Sequence, residues 1–240
     1  MLGLSITAIG LRPFAECLNI FKKLQKPLQL DFLELAIGSN CSTDFDYSGI
    51  PLILHDSCLY QDGIRKRLNL LRPQSWNVYA KFAAKNDVRG LSLHPPRRND
   101  CTLKELETAL LRLEKVIKIP VYIEVMPTED YWCSSMETLV NHPLLIDVSH
   151  ILIWYQGDIN LTQETCSNLL KSNKVGEIHL SHNQGKADTH DLIPTDIWFN
   201  DLIQDWKQKY FVTFESLPVN YSEYERLDKR RRKTVNSEQC

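Results

Sequence analysis

The chain has 240 residues, of which 43% are hydrophobic, and it carries a formal net charge of −2. A chain of this length and hydrophobic content can bury one large core, so a single compact domain is expected. Five of its 28 Lys and Arg residues form the run at 229–233, and the other 23 stand against 30 acidic residues, a balance that argues against a surface for nucleic-acid phosphates.

The seven cysteines show no C-x-x-C pair and no regular spacing, which is typical of reduced thiols in a cytosolic protein. The first residues lack the basic flank of a signal peptide, and no apolar run is long enough to cross a bilayer. These features predict a cytoplasmic protein without a membrane partner.

Strand-like and helix-like segments alternate along the chain. Apolar, β-branched runs of strand length occur at residues 4–10, 30–36, 51–55, 89–94, 121–125, 144–149, 176–181 and 211–216. Helical patterns lie between most of them, at 13–24, 64–86, 102–117, 131–140, 161–171 and 195–209. The segment after the second strand, "IGSNCSTDFDYSGI", is short and rich in Ser and Asp, so we expect a loop to replace one helix there.

Eight strands that alternate with helices over this length predict an α/β fold, the (β/α)8 or TIM barrel, rather than an open doubly wound sheet. No glycine-rich nucleotide-binding motif follows any of the strands, which agrees with this choice. We expect residues 1–221 to form the single barrel domain and residues 222–240 to form a last helix and a frayed basic tail.

Metal-binding residue types fall at the ends of six consecutive predicted strands, where a TIM barrel places its functional groups. A seventh, His150, lies three residues after the sixth strand's aspartate, and the loop after the seventh strand adds an Asp-x-His pair. The nine candidates are His55, His94, Glu124, Asp147, His150, His179, Asp188, His190 and Glu215. Imidazole and carboxylate groups are the ligands of zinc, manganese and iron, and nine of them on one rim would be costly without cations.

Each candidate alone has a simpler interpretation, because a single histidine at a strand end is more often a hydrogen-bonded loop residue than a ligand. Glu124 and Glu215 carry the most weight. They lie inside the apolar strings "VYIEVMP" and "FVTFESLP", where a carboxylate without a partner is unfavourable.

The ordered set resembles the zinc-ligand signature of the endonuclease IV family, within the xylose-isomerase-like barrels. The resemblance rests on "LHDSCLY" at 54–60, "LHPP" at 93–96, "IDVSH" at 146–150 and "EIHLSHNQGKADTH" at 177–190. It implies up to three divalent ions, with zinc expected and manganese or iron as alternatives, and it implies that Glu124 bridges two of them. Hydrolysis of a phosphoester, with catalytic roles for Glu124, Glu215 and His150, is the first functional hypothesis.

This chain departs from that family at Cys58, where the family has an aromatic residue, and in its short loops. Together with the acidic charge, these departures favour a small phosphorylated or sugar-like substrate over duplex DNA. Two neighbouring arginines and one lysine are the candidate contacts of a substrate phosphate, although solvated loop charges are commoner: Arg97, Arg98 and Lys186.

Three alternatives remain. Sugar and sugar-phosphate isomerases or epimerases of the same superfamily use one ion held by the four ligands that match Glu124, Asp147, His179 and Glu215. Multi-iron oxidases of the methanobactin-biosynthesis type are also similar, through "DFLEL", "GEIHLSH" and "DTHD", and would add Glu34 as a ligand. A barrel that binds a ligand without turnover ranks last.

Overall fold

Eight strands of the computed structural model pair in parallel and close into a barrel. The structure describes residues 1–10, 12–37, 40–172 and 174–217. In the order of hydrogen-bonded neighbours the barrel strands are β1 (Leu2–Ser5), β11 (Phe211–Phe214), β10 (Val175–Leu180), β9 (Leu144–Asp147), β8 (Val121–Glu124), β7 (Val88–Leu93), β4 (Leu52–His55) and β2 (Phe32–Leu35). The prediction of a (β/α)8 barrel is confirmed. The last helix and basic tail expected at 222–240 lie outside the described residues.

Helices connect most of the barrel strands. They are α1 (Ile6–Ile9), α2 (Phe14–Gln25), α3 (Asn77–Lys85), α4 (Leu103–Ile117), α5 (Val148–Trp154), α6 (Ile159–Lys171) and α7 (Ile203–Lys209), with 3₁₀ turns at Pro73–Trp76, Met136–Thr138 and Asn200–Leu202. Helix α4 begins at a capping box of Thr102 and Glu105 and buries Leu106, Leu110 and Leu113 on one face. None of the helices in the described ranges is long and apolar enough to span a bilayer.

The connection from β2 to β4 contains no helix among its described residues, as predicted. It contributes β3 (Cys41–Ser42) to a small sheet outside the barrel, which is completed by β5 (Leu59–Gln61) and β6 (Ile64–Arg65). The loop prediction is therefore confirmed.

Two predicted helices are shorter than expected, and a third, predicted at 131–140, is only a 3₁₀ turn at Met136–Thr138. The helix predicted at 64–86 covers only α3, because Arg72 precedes Pro73 and adopts an extended conformation with φ −124° and ψ 89°. In the segment predicted as a helix at 131–140, the Thr138 hydroxyl oxygen accepts hydrogen bonds from the backbone N–H groups of Ser134 and Ser135, which compete with a helical pattern. The helix predicted at 195–209 begins only at Ile203, after a 3₁₀ turn.

Two strands end earlier in the structure than the sequence predicted. The first strand ends at Ser5 and is followed by α1, and the strand predicted at 144–149 ends at Asp147 and is followed by α5. An apolar run alone cannot distinguish a buried strand from a buried helix, so the boundary inside each run was missed.

An aromatic floor closes the interior of the barrel at the amino ends of the strands. It consists of Phe32, Tyr122 and Phe211, with the ring of Phe211 5.4 Å from that of Phe32 and 6.3 Å from that of Tyr122. Because every second residue of a barrel strand faces the interior, Glu34 and Glu124 lie one level above this floor. The charged side chains inside the barrel thus lie above this floor, towards the carboxyl ends of the strands.

Candidate metal centre

Six of the nine predicted ligands lie at or directly after the carboxyl ends of barrel strands, which share one rim. They are His55 of β4, His94 after β7, Glu124 of β8, Asp147 of β9, His179 of β10 and Glu215 after β11. All of these except His94 are buried or nearly so, and the His94 side chain keeps 35% of its surface exposed.

Glu124 lies among three imidazole rings. Its Oε2 atom is 3.1 Å from Nε2 of His55 and 3.3 Å from Nε2 of His94, and its Oε1 atom is 3.4 Å from Nδ1 of His150. The outer nitrogen of the His94 ring, Nδ1, is 3.5 Å from Oδ2 of Asp56. One carboxylate therefore joins ligands from three different segments of the rim.

Asp147 and His150 are arranged by the start of helix α5. Asp147 is the N-cap residue, and its Oδ1 atom accepts hydrogen bonds from the backbone N–H groups of Ser149 and His150. The His150 Nδ1 atom lies 2.7 Å from the carbonyl oxygen of Val125, so its Nε2 atom is directed towards Asp147 Oδ2, at 3.8 Å, and Asp188 Oδ2, at 3.2 Å.

The Asp-x-His pair lies in the loop after β10, which folds back over the rim. The backbones of His182 and Asp191 form an antiparallel bridge that anchors this loop. Asp188 Oδ1 is 3.0 Å from Nε2 of His190, and Nδ1 of His190 is 3.6 Å from Oε2 of Glu215. His190 adopts the left-handed conformation, with φ 49°, which is uncommon for a residue other than glycine and marks a constrained site.

Short distances between side chains thus link all nine candidates. Eight of them, together with Glu34 and Glu177, fall into five groups whose ligand atoms lie within 4.8 Å of one another. These groups are His55–Glu124–His179, His150–Asp188–His190, Glu34–Glu177–His179, Glu124–Asp147–His150 and Asp147–His179–Glu215. The ninth, His94, joins them through its contact with Glu124.

The hydrogen bonding of the rim fits a cation. Five buried ligand atoms make no hydrogen bond among the described residues: Asp147 Oδ2, His150 Nε2, His179 Nδ1, His190 Nδ1 and Glu215 Oε2. Buried polar atoms normally have a hydrogen-bond partner, and without a cation these five atoms have only charge contacts with neighbouring side chains, such as the 2.8 Å between His179 Nδ1 and Glu215 Oε2. Imidazole and carboxylate groups are the side chains that bind zinc, manganese or iron, so the converging atoms of the rim could hold such an ion.

Charge interactions between these groups shift their pKa values in opposite directions. Burial alone would lower the pKa of His55, but the hydrogen bond and charge of Glu124 raise it to about 9. Burial also opposes ionisation of Glu215, yet the neighbouring His179 and His190 lower its pKa to about 2. The pKa of His190 rises to about 9 against its own burial, because Glu215 and Asp188 are close. Without a cation, His55 and His190 are thus imidazolium groups at neutral pH and Glu215 is a carboxylate, whereas burial raises the pKa of Asp147.

The three basic residues predicted to contact a substrate phosphate are not part of this network. Arg97 forms an ion pair with Asp130 at 3.2 Å and lies over the ring of Tyr131. Arg98 lies over the ring of Trp132, and Lys186 is exposed. Their role in substrate binding stays a prediction.

Three carboxylates beside the centre were not identified as parts of it from the endonuclease IV resemblance. Asp56 contacts His94, and Glu34 and Glu177 are fully buried beneath the rim. The signal for Glu177 was present in the sequence, since it precedes His179 by two residues and a strand places such residues on the same face. Asp56 gave no comparable signal.

A cavity of about 730 Å³ opens beside the rim. His94 and Asp56 form one side of it, and residues 68–72, which include the exposed Arg72, form another. Volumes of several hundred Å³ are typical of sites for small ligands. The cavity is therefore large enough for a small ligand beside His94 and Asp56.

No protein-family model and no curated protein sequence matches this chain. Solved structures do resemble it. A D-tagatose 3-epimerase-like protein aligns over 100% of this chain and 99% of its own, with 13% identity and a TM-score of 0.62. A D-allulose 3-epimerase from Methylomonas sp., in complex with D-allulose, aligns over 90% of this chain and 83% of its own, with 14% identity and a TM-score of 0.55.

The IolI protein, in a structure with a bound zinc atom, aligns over 98% of this chain and 96% of its own, with 12% identity and a TM-score of 0.56. At identities this low, the likeness establishes the fold. A putative xylose isomerase and a xylose isomerase domain protein also align with this chain, with TM-scores of 0.57 and 0.55. This chain has the fold of the xylose-isomerase-like TIM barrels, as its sequence motifs predicted.

Proposed function

We propose that this protein is a divalent-metal-dependent isomerase or epimerase of sugars or sugar phosphates. The observation that carries the proposal is the group Asp147–His179–Glu215, in which each residue has a buried ligand atom without a hydrogen bond. Glu124 completes the set of four, because it shares a second group with Asp147. Two structures with this fold come from an epimerase and an epimerase-like protein, which favours this activity over the hydrolase first expected.

A divalent ion held by these four residues would polarise the oxygen atoms of a bound ketose or aldose. Zinc is the first metal to test, since the IolI structure contains it. The chain itself would move the proton next to the carbonyl group. The pKa values of Glu124 and Glu215 are both lowered despite burial, chiefly by His94 near Glu124 and His179 near Glu215, so both carboxylates are ionised at neutral pH and can act as bases. In this proposal one of them would remove the proton, and the other, after it takes up a proton from solvent, would deliver that proton to the opposite face of the same carbon.

Substrate would enter through the cavity beside His94 and Asp56. His94 is the most exposed imidazole among the six strand-end ligands and would donate or accept a hydrogen bond to a sugar hydroxyl from its position on the rim. The burial of Glu124 and Asp147 would keep bulk water away from the reacting carbon.

Phosphoester hydrolysis at a multinuclear centre is the second candidate. It is favoured by one specific observation, the further group His150–Asp188–His190, which the four-residue set does not need. Two or three ions in such a cluster can activate a water molecule and stabilise the leaving oxygen. The multi-iron oxidase interpretation stays a prediction.

The direct test is incubation of zinc- or manganese-loaded protein in D₂O with a panel of ketoses, aldoses and their phosphates. Removal of a proton next to the carbonyl group predicts deuterium incorporation together with epimer or isomer formation. The Glu124→Gln variant is expected to lose both, whereas Glu129→Gln, which changes an exposed carboxylate in the loop after β8, should retain them. Hydrolysis of a phosphoester without any deuterium exchange would replace the first proposal by the second.

A further inference from the structure

Glu34 contacts the metal centre from below the rim. It lies on β2, one level above the aromatic floor, and its Oε2 atom is 2.7 Å from Nε2 of His179. Both side chains are fully buried. A histidine that binds a metal ion is neutral and carries one ring proton, and an ionised carboxylate only accepts hydrogen bonds, so a metal-bound His179 would carry its proton on Nε2, towards Glu34.

His150 shows the same arrangement with a different acceptor. Its Nδ1 atom lies 2.7 Å from the carbonyl oxygen of Val125, which leaves Nε2 to face Asp147 and Asp188. In His179 the roles of the two nitrogens are exchanged. Nε2 faces Glu34, and Nδ1 lies 2.8 Å from Oε2 of Glu215 without a hydrogen bond of its own.

We infer that Glu34 is a positioning residue, which holds the His179 ring with its proton on Nε2 and its Nδ1 lone pair directed at the Asp147–His179–Glu215 group. This inference rests on the proposed metal-dependent function. Ligating histidines usually donate their other N–H group to a carboxylate or carbonyl, which fixes the orientation of the ring and raises the basicity of the ligand. A carboxylate does this more strongly than the carbonyl that serves His150.

Glu177 could compete for this role, because its Oε1 atom is 3.5 Å from Nε2 of His179. However, two hydroxyl groups already donate to it, that of Thr213 to Oε1 at 2.8 Å and that of Ser92 to Oε2. Glu34 is therefore closer to His179 Nε2 than Glu177 is, and it is the better acceptor for the ring N–H because no hydroxyl group of the described residues donates to its Oε2 atom.

The same three residues, Glu34, Glu177 and His179, have ligand atoms close enough to hold an ion of their own. Such an ion would take the Nε2 lone pair of His179 and would force the ring proton onto Nδ1, against Glu215. The two interpretations predict different results. A positioning residue changes how tightly ions bind, whereas a ligand of a separate ion changes how many bind.

The experiment is a direct titration of the chelator-treated protein with Zn²⁺, read by calorimetry, in the unaltered chain and in Glu34→Gln and Glu34→Leu. The control is Glu164→Gln, which changes an exposed carboxylate on α6. We expect all four proteins to bind the same number of ions. Affinity should fall by roughly 10–100-fold in Glu34→Leu and by less in Glu34→Gln, whose amide oxygen still accepts a hydrogen bond.

A second readout separates positioning from a general structural effect. Long-range ¹H–¹⁵N correlation of the zinc-loaded protein should show His179 protonated on Nε2 in the unaltered chain, and this signal should shift or disappear in the Glu34 variants. Unchanged zinc affinity in both variants would overturn the inference, and so would the loss of one whole ion with the others bound as before. If Glu34→Leu does not fold, equal affinity in Glu34→Gln and the unaltered protein overturns it.

The outcomes also separate the inference from the proposed function. An unaltered chain that binds no Zn²⁺ would contradict both. An unaltered chain that binds Zn²⁺ tightly, with variants that bind it equally well, would contradict only the role of Glu34.

Discussion

The Nε2 atom of His150 lies 3.2 Å from the Oδ2 atom of Asp188. The first residue belongs to the helix after β9 and the second to the loop after β10, so two consecutive connections of the barrel meet above its mouth. His190 of the same loop completes a group of three ligands at the outer edge of the rim, where the Asp188 side chain keeps 36% of its surface exposed.

This arrangement predicts that an outer ion can be removed separately. Asp188→Asn should reduce the number of bound ions by about one per chain and leave the inner group Asp147–His179–Glu215 occupied, because the inner group does not use Asp188. Elemental analysis of the purified protein measures this number. Asp196→Asn, an exposed aspartate further along the same connection, is the matched control and should change nothing. Loss of all ions in Asp188→Asn would show that the groups are not independent.

Glu124 is expected to be the most sensitive single position. Its two oxygen atoms contact the rings of His55, His94 and His150, so Glu124→Gln removes a charge shared by several ligands. Metal affinity should fall by more than the roughly 10–100-fold typical of changes to an outer partner of a ligand, and turnover should fall with it. Zn²⁺ titration and the isotope-exchange assay measure the two effects. Full turnover in Glu124→Gln would reject its role.

The stability of the metal-free protein should depend on pH above neutrality. The pKa of His55 is raised from an ordinary value near 6.5 to about 9, and that of His190 is also raised to about 9. A raised pKa in the folded state gives stability that is fully present below pH 6.5 and is lost as the pH rises through 9. Thermal unfolding in the presence of a chelator, measured from pH 6.5 to 9.5, should therefore show a falling midpoint. A midpoint that rises over this range would contradict the assigned contacts.

Metal should reverse this trend. Binding requires neutral imidazoles, so Zn²⁺ must displace protons and bind more tightly as the pH rises towards 9. At about 100 times its dissociation constant, an ion that binds only the folded state raises the free energy of unfolding by about 2.7 kcal/mol. A pH-independent zinc affinity would mean that the histidines are not the ligands.

Gly176 tests the aromatic floor independently of the metal. A Cβ atom at this position would overlap the ring of Tyr122, whose opposite edge lies against Gly90. Gly176→Ala should lower the free energy of unfolding by about 1–3 kcal/mol, as overpacked cores do. Adding Tyr122→Leu to Gly176→Ala should recover part of the loss, because the two residues are in contact. Chemical denaturation measures the free energy of unfolding of each variant. If the change in the double variant equals the sum of the changes in the two single variants, the residues are not packed against each other.

The sequence predicted that six of the nine candidates share one rim because each of the six lies at or directly after the end of an apolar strand, while their role as metal ligands stays a prediction. His55 ends "PLILH", and Glu124 and Asp147 end similar runs, so the strand pattern and the chemical pattern coincide. Once the fold is recognised as a barrel, residues that are far apart in the chain are expected to lie close together, because the carboxyl ends of all eight parallel strands lie on one face.

What the sequence did not predict depends on tertiary contacts. The apolar run continues through Asp147 into α5, so the sequence did not indicate where the helix begins. For the same reason it did not indicate that Asp147 caps the helix that carries His150. The contact of Glu34 with His179 joins β2 to β10, and the mouth cavity is formed partly by residues 68–72, which were expected to be helical. No local pattern contains these relationships.

We propose that the converging rim residues hold divalent ions. Crystals equilibrated with Zn²⁺ and measured at the zinc absorption edge test it most directly. We expect an anomalous peak bounded by Asp147, His179 and Glu215, with Glu124 next to it, and we expect this peak to be lost in crystals of Glu124→Gln. If crystals soaked in saturating Zn²⁺ show no anomalous peak within coordination distance of these four residues, the proposal is wrong.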